Sequence, residues 1–247
     1  MCRHLAYLGP PVTLSSLLLE PTYGLHRQAW APRRVLGTAT VNVDGFGVGW
    51  YGPDGVGRYR RAVPMWTDTS FPSLASSLRS PAVLAAVRSA SEGMPVSDGA
   101  CAPFSSGQWL FSHNGIVHGW PESLEKLAST VRTADLMTLD APTDAAVLWA
   151  LVSQRLVSGD SLDFSLATVV NDVRATATGR LNLLLTDGER IAGTRCGESL
   201  YYLRGDDFVV VASEPYDDSP QWTEVPDATV VTATTDGVTL RSLDSYS

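Results

Sequence analysis

The sequence predicts a soluble α+β protein whose helices and strands pack in layers. Strand-like segments cluster towards both ends of the 247-residue chain, and helical patterns occupy the middle. Hydrophobic residues make up 44% of the chain, which is enough to bury a large core. Neither a repeat nor a low-complexity linker divides the sequence. We therefore expect a single domain over residues 2–247.

The N-terminal part alternates predicted strands with short helices. Residues 2–8 indicate a strand that stops at the Gly9-Pro10-Pro11 turn, and Thr13 is placed to cap a helix over 14–20. The remaining predicted elements are a strand region over 45–63 turning at Pro53-Asp54-Gly55, a helix over 72–79 and a buried strand over 82–87.

The C-terminal part begins with a loop over 89–107 and a strand over 108–112 that ends at His113-Asn114-Gly115. Helices are predicted over 121–136, over 144–157 with Thr143 as cap, and over 162–177 with Ser161 as cap. Short strands follow over 181–186, 190–194, 200–203, 208–212, 229–232 and 238–242, with hairpin turns at Asp187-Gly188 and Asp236-Gly237.

Composition excludes several classes of protein. The net charge of −8 and the pI near 4.9 argue against non-specific binding to nucleic acid or anionic membranes. The chain has no apolar run of the ~18 residues that a membrane helix needs, and its start lacks a secretory signal. Three distant cysteines without CxxC spacing predict neither a disulfide framework nor a zinc site. We expect a cytoplasmic protein without a metal or cofactor.

Cys2 directly follows the initiator methionine, which is normally removed before a small residue. Removal of Met1 would leave a thiol and a free α-amine on one residue. A free α-amine titrates near ~7.7–8.0 and a free thiol near ~8.5, so the amine can accept the thiol proton near neutral pH. Cys2 is therefore a candidate nucleophile that supplies its own base, although a cysteine also occurs at position 2 by chance.

Four further features are each ambiguous. Arg88, after an apolar strand, suits either a carboxylate ligand or a surface ion pair. Asn114-Gly115 suits an oxyanion hole or a simple turn. Asp144, at a helix start, suits a substrate ammonium or the helix dipole. The alternate glycines of residues 45–49 allow close approach of a ligand or of another part of the backbone.

Taken in order, these features resemble the glutaminase domain of class II glutamine amidotransferases. The matching segments are Cys2, Asp44-Gly45-Phe46-Gly47, Arg88-Ser89-Ala90, His113-Asn114-Gly115 and Thr143-Asp144. The resemblance implies an N-terminal-nucleophile hydrolase with a four-layer αββα sandwich, two antiparallel sheets between helical layers, and no cofactor. It assigns nucleophilic attack to Cys2 and oxyanion binding to Asn114 and Gly115. Arg88 and Asp144 would bind the α-carboxylate and α-ammonium of the substrate, with Ser89 and His113 in the same binding site.

The Cys2-Arg3-His4 start departs from the Cys-Gly start common in that family. Together with other segments it resembles one branch, the amidohydrolases of ergothioneine biosynthesis, which remove glutamate from γ-glutamyl-hercynylcysteine sulfoxide. These other segments are Ala31-Pro32-Arg33-Arg34, Gly93-Met94-Pro95, Ala102-Pro103-Phe104-Ser105, Gly107-Gln108-Trp109 and Ala212-Ser213-Glu214-Pro215-Tyr216-Asp217-Asp218. The resemblance implies hydrolysis of this small molecule through a Cys2 thioester. Because no synthase domain follows residue 247, we expect a stand-alone hydrolase.

Three alternatives remain open at this point. The chain also suits a glutaminase or glutaminase subunit, a protease or acyltransferase using Cys101 with His113 or His118, or a γ-glutamyl-metabolite binding protein. Asn182 is a candidate to orient the Cys2 amine. Five aromatic residues suit either the core or a cation–π wall for a trimethylammonium leaving group, namely Trp50, Tyr51, Trp66, Phe71 and Trp109.

Overall fold

Two antiparallel sheets form the centre of the computed structural model, which describes residues 2–34 and 41–246. The strands are β1 (Arg3–Thr13), β2 (Phe46–Gly52), β3 (Gly55–Arg61), β4 (Arg79–Val87), β5 (Phe104–Ser106), β6 (Trp109–Val117), β7 (Gly179–Thr186), β8 (Ile191–Arg195), β9 (Tyr201–Arg204), β10 (Val209–Ala212), β11 (Thr223–Glu224), β12 (Thr229–Thr234) and β13 (Gly237–Ser242). The first sheet has the order β11-β9-β10-β1-β4-β2-β3 and the second β13-β12-β8-β7-β6-β5. β1 and β4 are therefore central in the first sheet, and β6 lies beside β7 in the second.

Helices cover the outer face of each sheet. They are α1 (Leu14–Leu18), α2 (Leu25–Gln28), α3 (Phe71–Ser77), α4 (Glu125–Ala128), α5 (Thr133–Met137), α6 (Asp144–Val157) and α7 (Leu162–Arg174). α1 to α3 pack on the first sheet, and α6 and α7 pack on the second. The predicted four-layer αββα sandwich is thus confirmed. Within the described residues, no helix is both long and apolar enough to cross a membrane.

The protein has three apolar core regions: one between each sheet and its helices, and one between the two sheets. Alternation of side chains along the central strands produces them. In β1, Leu5 and Tyr7 face the helices while Ala6 and Leu8 face the second sheet. In β7, Leu183 faces α6 and α7, whereas Leu184 packs between the sheets. Successive side chains of a strand point to opposite faces, so a strand with layers on both sides is apolar throughout. This double burial holds the central strands rigidly at the end of the sandwich where Cys2 lies.

The predicted turn at Gly9-Pro10-Pro11 is wrong, because β1 continues through it to Thr13. The pairing of β1 with β4 changes register between Leu8 and Val12. A proline cannot donate to a strand ladder, and such an irregular stretch accommodates prolines without losing a ladder bond. Thr13 then caps α1 as predicted, its side chain accepting a hydrogen bond from the Ser16 N–H at 3.1 Å.

Further elements differ from the prediction, including β5, which lies within the loop expected over 89–107, and β11, which was not predicted. The helix expected over 121–136 is broken into a 3₁₀ turn at Glu122–Leu124 followed by α4 and α5. Between these two helices the Ser129 and Thr130 hydroxyls donate to the Lys126 and Leu127 carbonyls, which competes with helix continuation. His113-Asn114-Gly115 lies inside β6, where Asn114 pairs with Asn182 of β7, and not at a strand end.

The alternate glycines of residues 45–49 face another part of the protein backbone. A Cβ on Gly45 would collide with Cys101, one on Gly47 with the Ala102 carbonyl, and one on Gly49 with the Leu110 side chain. The segment that precedes β5 therefore covers this face of β2. Of the two readings open from the sequence, close packing is the one that occurs.

Candidate active site

A pocket opens where the start of β1, the segment after β4, β6 and the start of α6 meet. Of the seven predicted site residues, six line it, namely Cys2, Arg88, Ser89, His113, Gly115 and Asp144. The apolar part of the wall comes mainly from Phe46, Met94, Ala102 and Phe104. Residues distant in sequence thus meet in one concave site.

Cys2 enters the pocket because β1 pairs with β4 at the strand end. Arg3 is opposite Val87, so Cys2 lies beside the residues that follow β4. Its Sγ is 3.7 Å from the Ser89 carbonyl oxygen, to which the thiol donates. Cys2 is partly exposed, and its thiol is therefore accessible from the pocket.

Arg88 and its neighbours are held against the loop that precedes β2. The Arg88 N–H donates to the Gly45 carbonyl at 2.7 Å, and the Asp44 N–H donates to the Arg88 carbonyl at 3.0 Å. Asp44 Oδ2 accepts the Ala90 N–H at 2.7 Å. The guanidinium donates through Nη1 to the Pro95 carbonyl at 2.9 Å. Since a guanidinium carries five N–H groups, further donors remain to bind a carboxylate.

Asp144 is a buried carboxylate at the first residue of α6. Its Oδ2 accepts the Val117 N–H at 3.0 Å, and its Oδ1 accepts the Ala145 N–H at 2.7 Å. Thr143 caps the helix as predicted, accepting the Ala146 N–H at 3.2 Å. These bonds join α6 to β6 and place a negative charge in the pocket at the positive end of the helix dipole. The pocket therefore carries Arg88 and Asp144 as opposite charges.

β6 contributes three adjacent residues with different orientations. His113 Nε2 is 3.0 Å from the Arg180 carbonyl; because a carbonyl only accepts, Nε2 carries the proton. A Cβ on Gly115 would collide with the same carbonyl, so this position requires the smallest residue. Asn114 is buried between the sheets and does not belong to the pocket wall described above; its Nδ2 donates to Ser213 Oγ at 3.3 Å.

His4 lies fully buried behind the pocket. Its Nδ1 is 3.2 Å from Ser112 Oγ, which joins β1 to β6. Burial, together with the nearby His113 and Arg3, lowers the pKa of His4 to about 3. His4 is consequently neutral at physiological pH and adds no charge to the site.

Cys101 does not have the environment of a nucleophile. The thiol is buried within 3.4 Å of the carbonyl oxygens of both Arg61 and Ser97, and burial raises its pKa to about 11. The thiolate is the reactive form, so this environment makes Cys101 inert. His118, one of its two suggested partners, is exposed on the surface. The protease or acyltransferase alternative is therefore wrong.

Two other sequence hypotheses are also wrong. Asn182 holds the turn after β8, because its Oδ1 accepts the Cys196 and Glu198 N–H groups and its Nδ2 donates to the Glu198 and Ser199 carbonyls. The five aromatic residues proposed as a cation–π wall lie elsewhere. Trp50 and Phe71 pack in the first-sheet core, Trp109 packs against the second-sheet core, Tyr51 bonds to the Gln108 and Thr186 carbonyls, and Trp66 lies beside α3.

The residues that sequence reasoning left without a role are Arg3, Ser213 and Glu214. All three are buried. Arg3 donates to the Cys2 carbonyl, Ser213 accepts the His4 N–H, and Glu214 lies 4.0 Å from Arg3. The available signal was their presence in segments that resemble one branch of the family. Across residues 2–34 and 41–246, no group of three or more His, Cys, Asp and Glu side chains is arranged to hold a metal ion.

Comparison with known proteins agrees with this geometry. The family model described as "Glutamine amidotransferases class-II" matches residues 22–208. Proteins named gamma-glutamyl-hercynylcysteine sulfoxide hydrolase are similar over most of their length. The one from Mycobacterium tuberculosis is 42% identical over 99% of this chain and 97% of its own. The one from Mycolicibacterium smegmatis is 43% identical over 94% and 95%. A class-II glutamine aminotransferase domain protein from Silicibacter pomeroyi superimposes with a TM-score of 0.69 at 26% identity, covering 98% of this chain and 99% of its own.

Proposed function

This chain belongs to the class II glutamine amidotransferases, and we propose that it hydrolyses the γ-glutamyl amide of γ-glutamyl-hercynylcysteine sulfoxide. The products are glutamate and hercynylcysteine sulfoxide. Two relatives that share 42% and 43% of their residues with this chain carry the name of this activity. The proposal includes removal of Met1, which lies outside the described residues, and a single catalytic domain over residues 2–247 acting in the cytoplasm.

The observation that carries the proposal is the arrangement of charges around Cys2. Arg88 and Asp144 line the same pocket as the thiol. A γ-glutamyl group ends in an α-carboxylate and an α-ammonium, which match one cation and one anion respectively. Binding both charges fixes the orientation of the glutamyl chain and brings its γ-carbonyl to Cys2. Such positioning contributes to rate as well as to affinity.

Acylation begins when the neutral α-amine of Cys2 takes the thiol proton, directly or through one water. Sγ then forms a bond to the γ-carbonyl carbon, and the carbonyl π electrons move to oxygen. Collapse of this tetrahedral intermediate breaks the C–N bond. The proton held on the Cys2 amine passes to the departing nitrogen, which leaves as a neutral amine. A γ-glutamyl thioester remains on Cys2.

The tetrahedral oxyanion needs donors that are already in place. An amide nitrogen carries two hydrogens, and Asn114 uses one on Ser213 Oγ. Asn114 directly precedes Gly115 of the pocket wall, and we assign its second hydrogen, together with the Gly115 N–H, to an oxyanion at this edge of the pocket. Loss of one such donor typically lowers kcat by ~10²–10³. Ser89 and His113 complete the polar wall, where His113 is held by its bond to the Arg180 carbonyl.

Deacylation repeats the same chemistry with water as the nucleophile. The Cys2 amine takes a proton from water, and the resulting hydroxide attacks the thioester carbon. The C–S bond then breaks, the thiolate recovers the proton from the amine, and glutamate leaves. Every proton transfer is therefore returned, so the enzyme ends each cycle unchanged.

The test is a mass-resolved incubation of the full chain with γ-glutamyl-hercynylcysteine sulfoxide. Wild type should release glutamate, Cys2→Ala should leave the substrate intact, and Cys196→Ala is the matched control because that thiol lies outside the pocket. Intact mass should show a chain lacking Met1. Substrate loss with Cys2→Ala, or an active chain that retains Met1, would overturn the mechanism.

A parallel incubation with glutamine separates the closest alternative. A glutaminase would release ammonia from glutamine faster than it releases glutamate from the sulfoxide substrate. The proposed hydrolase should show the reverse order of kcat/KM. Tight binding of the sulfoxide without turnover would instead indicate a binding protein.

A further inference from the structure

Three segments without a role in the proposed mechanism converge behind Cys2. They are the Arg3-His4 start of β1, Arg33-Arg34, and Ser213-Glu214 after β10. Each is separated from the others by many residues. Because they converge beside Cys2, they are candidates to hold the nucleophile in place.

Arg3 is the centre of this cluster. Its side chain is 1% exposed, although arginine is rarely buried without a partner. Nη1 donates to the Cys2 carbonyl at 2.9 Å, and Nη2 donates to the Arg34 carbonyl. One guanidinium therefore holds both the backbone of the nucleophile and a segment distant in sequence.

Glu214 supplies the matching charge. Its side chain is fully buried, and Oε2 lies 4.0 Å from Arg3 Nε. The carboxylate also accepts the Arg33 N–H at 3.0 Å and the Arg34 N–H at 2.7 Å. Both side chains thus bind the 33–34 backbone: Arg3 donates to a carbonyl of this segment, and Glu214 accepts from its N–H groups.

Ser213, the residue before Glu214, ties this cluster to the strand that carries the nucleophile. Its Oγ accepts the His4 N–H at 2.9 Å, and its own N–H donates to the His4 carbonyl at 2.9 Å. The same Oγ accepts Asn114 Nδ2. Ser213 therefore connects β1, two residues after Cys2, with the proposed oxyanion donor Asn114.

We propose that Arg3 is a positioning residue that sets the place of Cys2 through the Cys2 carbonyl, with Glu214 and the 33–34 backbone as its support. This inference rests on the proposed function. Arg3 does not belong to the pocket wall described above, so it acts on the nucleophile and leaves the binding groups untouched. The planar fork is essential, because lysine keeps the charge but cannot present two fixed N–H groups to two carbonyls.

The experiment compares Arg3→Lys, Glu214→Gln and the double variant Arg3→Met/Glu214→Gln in the full chain. The double variant removes both buried charges together, since a single uncompensated charge in the interior threatens folding. Arg204→Lys and Arg204→Met serve as matched controls, because Arg204 is an exposed arginine of β9 that donates to the Asp236 carbonyl. Each variant is checked for loss of Met1 by intact mass and for folding by thermal unfolding.

The expected result is a change in kcat with KM preserved. A displacement of about 1 Å near the chemistry costs about 10² in rate, so we expect kcat per folded enzyme to fall roughly 10²-fold in the double variant. Arg3→Lys should fall by about tenfold or more, with KM within about threefold of wild type. Wild-type kcat in a folded Arg3→Lys or double variant overturns the inference, as does a loss confined to KM.

Alkylation of Cys2 by iodoacetamide separates this inference from the proposed function. Loss of the Arg3 hydrogen bond to the Cys2 carbonyl should move the thiol from its place in the pocket, so the Cys2 alkylation rate of the double variant should differ about tenfold from that of wild type. This readout needs no substrate. If wild type does not cleave the sulfoxide but the alkylation rate of the double variant is still altered, the function is wrong and the positioning role stands. An alkylation rate in the double variant equal to that of wild type would contradict the positioning role of Arg3.

Discussion

Replacement of Gly115 by alanine is a stringent test of the site geometry. Gly115 lies in β6 opposite Leu181 of β7, beside the Arg180 carbonyl. An added Cβ would be 2.6 Å from the Arg180 carbonyl carbon and 2.7 Å from His113 Nε2. Both neighbours are part of one hydrogen bond, so neither can move without disturbing the other.

The size of the effect follows from the required displacement. Non-bonded carbon atoms prefer separations of about 3.5–4.0 Å. Restoring such a separation from 2.6 Å moves β6 and β7 apart by at least about 1 Å, because the Arg180 carbonyl oxygen lies nearer still to the added methyl group. Overpacking of this kind costs about 1–3 kcal/mol of stability. Because the Gly115 N–H is assigned to the oxyanion, we also expect kcat to fall about 10²-fold.

The assay pairs urea unfolding with steady-state turnover of the sulfoxide substrate. Gly237→Ala is the matched control, because an added Cβ there meets no described atom within 4 Å. This control should retain stability and kcat. A Gly115→Ala protein with wild-type stability and wild-type kcat would refute both the packing argument and the assignment of the oxyanion site.

Three other perturbations test separate parts of the structure. Asp144→Asn should raise KM for γ-glutamyl substrates roughly 10–100-fold, because a hydrogen bond to a charged group contributes about 1.5–3 kcal/mol; steady-state kinetics with an unchanged KM would remove Asp144 from substrate binding. Burial, the largest cause, helps to lower the pKa of His4 from 6.5 to about 3. As the pH falls below 6.5, the unfolded chain therefore takes up a proton at His4 while the folded protein does not, and the free energy of unfolding decreases. Urea unfolding of wild type should therefore lose about 2 kcal/mol more than His4→Gln between pH 7 and pH 5, and parallel curves would contradict the buried neutral imidazole. At pH 8, Cys101 of the folded protein should alkylate roughly 10² times more slowly than Cys101 of the urea-unfolded chain, because burial raises the pKa of the thiol to about 11. Peptide mass spectrometry measures both alkylation rates, and equal rates would show that the thiol is not protected.

Elements with local signals were predicted well from the sequence. α6 begins at Asp144 and ends at Val157 as expected, because Thr143 supplies a capping oxygen and the apolar residues recur at helical spacing. The Asp187-Gly188 turn lies between the paired strands β7 and β8, and the β12–β13 hairpin turns at Thr235-Asp236, one residue earlier than predicted. In each case residues close in sequence determine the structure, so no information about distant partners was needed.

The incorrect predictions depend on distant partners. The prolines after Gly9 indicate a turn, yet β4 pairs with β1 on both sides of them. His113-Asn114-Gly115 resembles a turn locally, but β7 continues the ladder beside it. Local propensity is a weak prior that pairing across a sheet overrides. The aromatic wall failed for a similar reason, since burial in a core depends on the whole fold.

The sequence by itself determined the class of fold and the family and predicted a set of candidate site residues, because residue types and their order along the chain carry that information. Cys2, Arg88 and Asp144 were all identifiable in this way, and the structure places them in one pocket. Only the tertiary structure decided what surrounds them. It buried Arg3 against Glu214, turned Asn114 towards Ser213 and assigned Asn182 to a turn. Which polar groups meet in the interior depends on how two sheets stack, and sequence spacing does not record that contact.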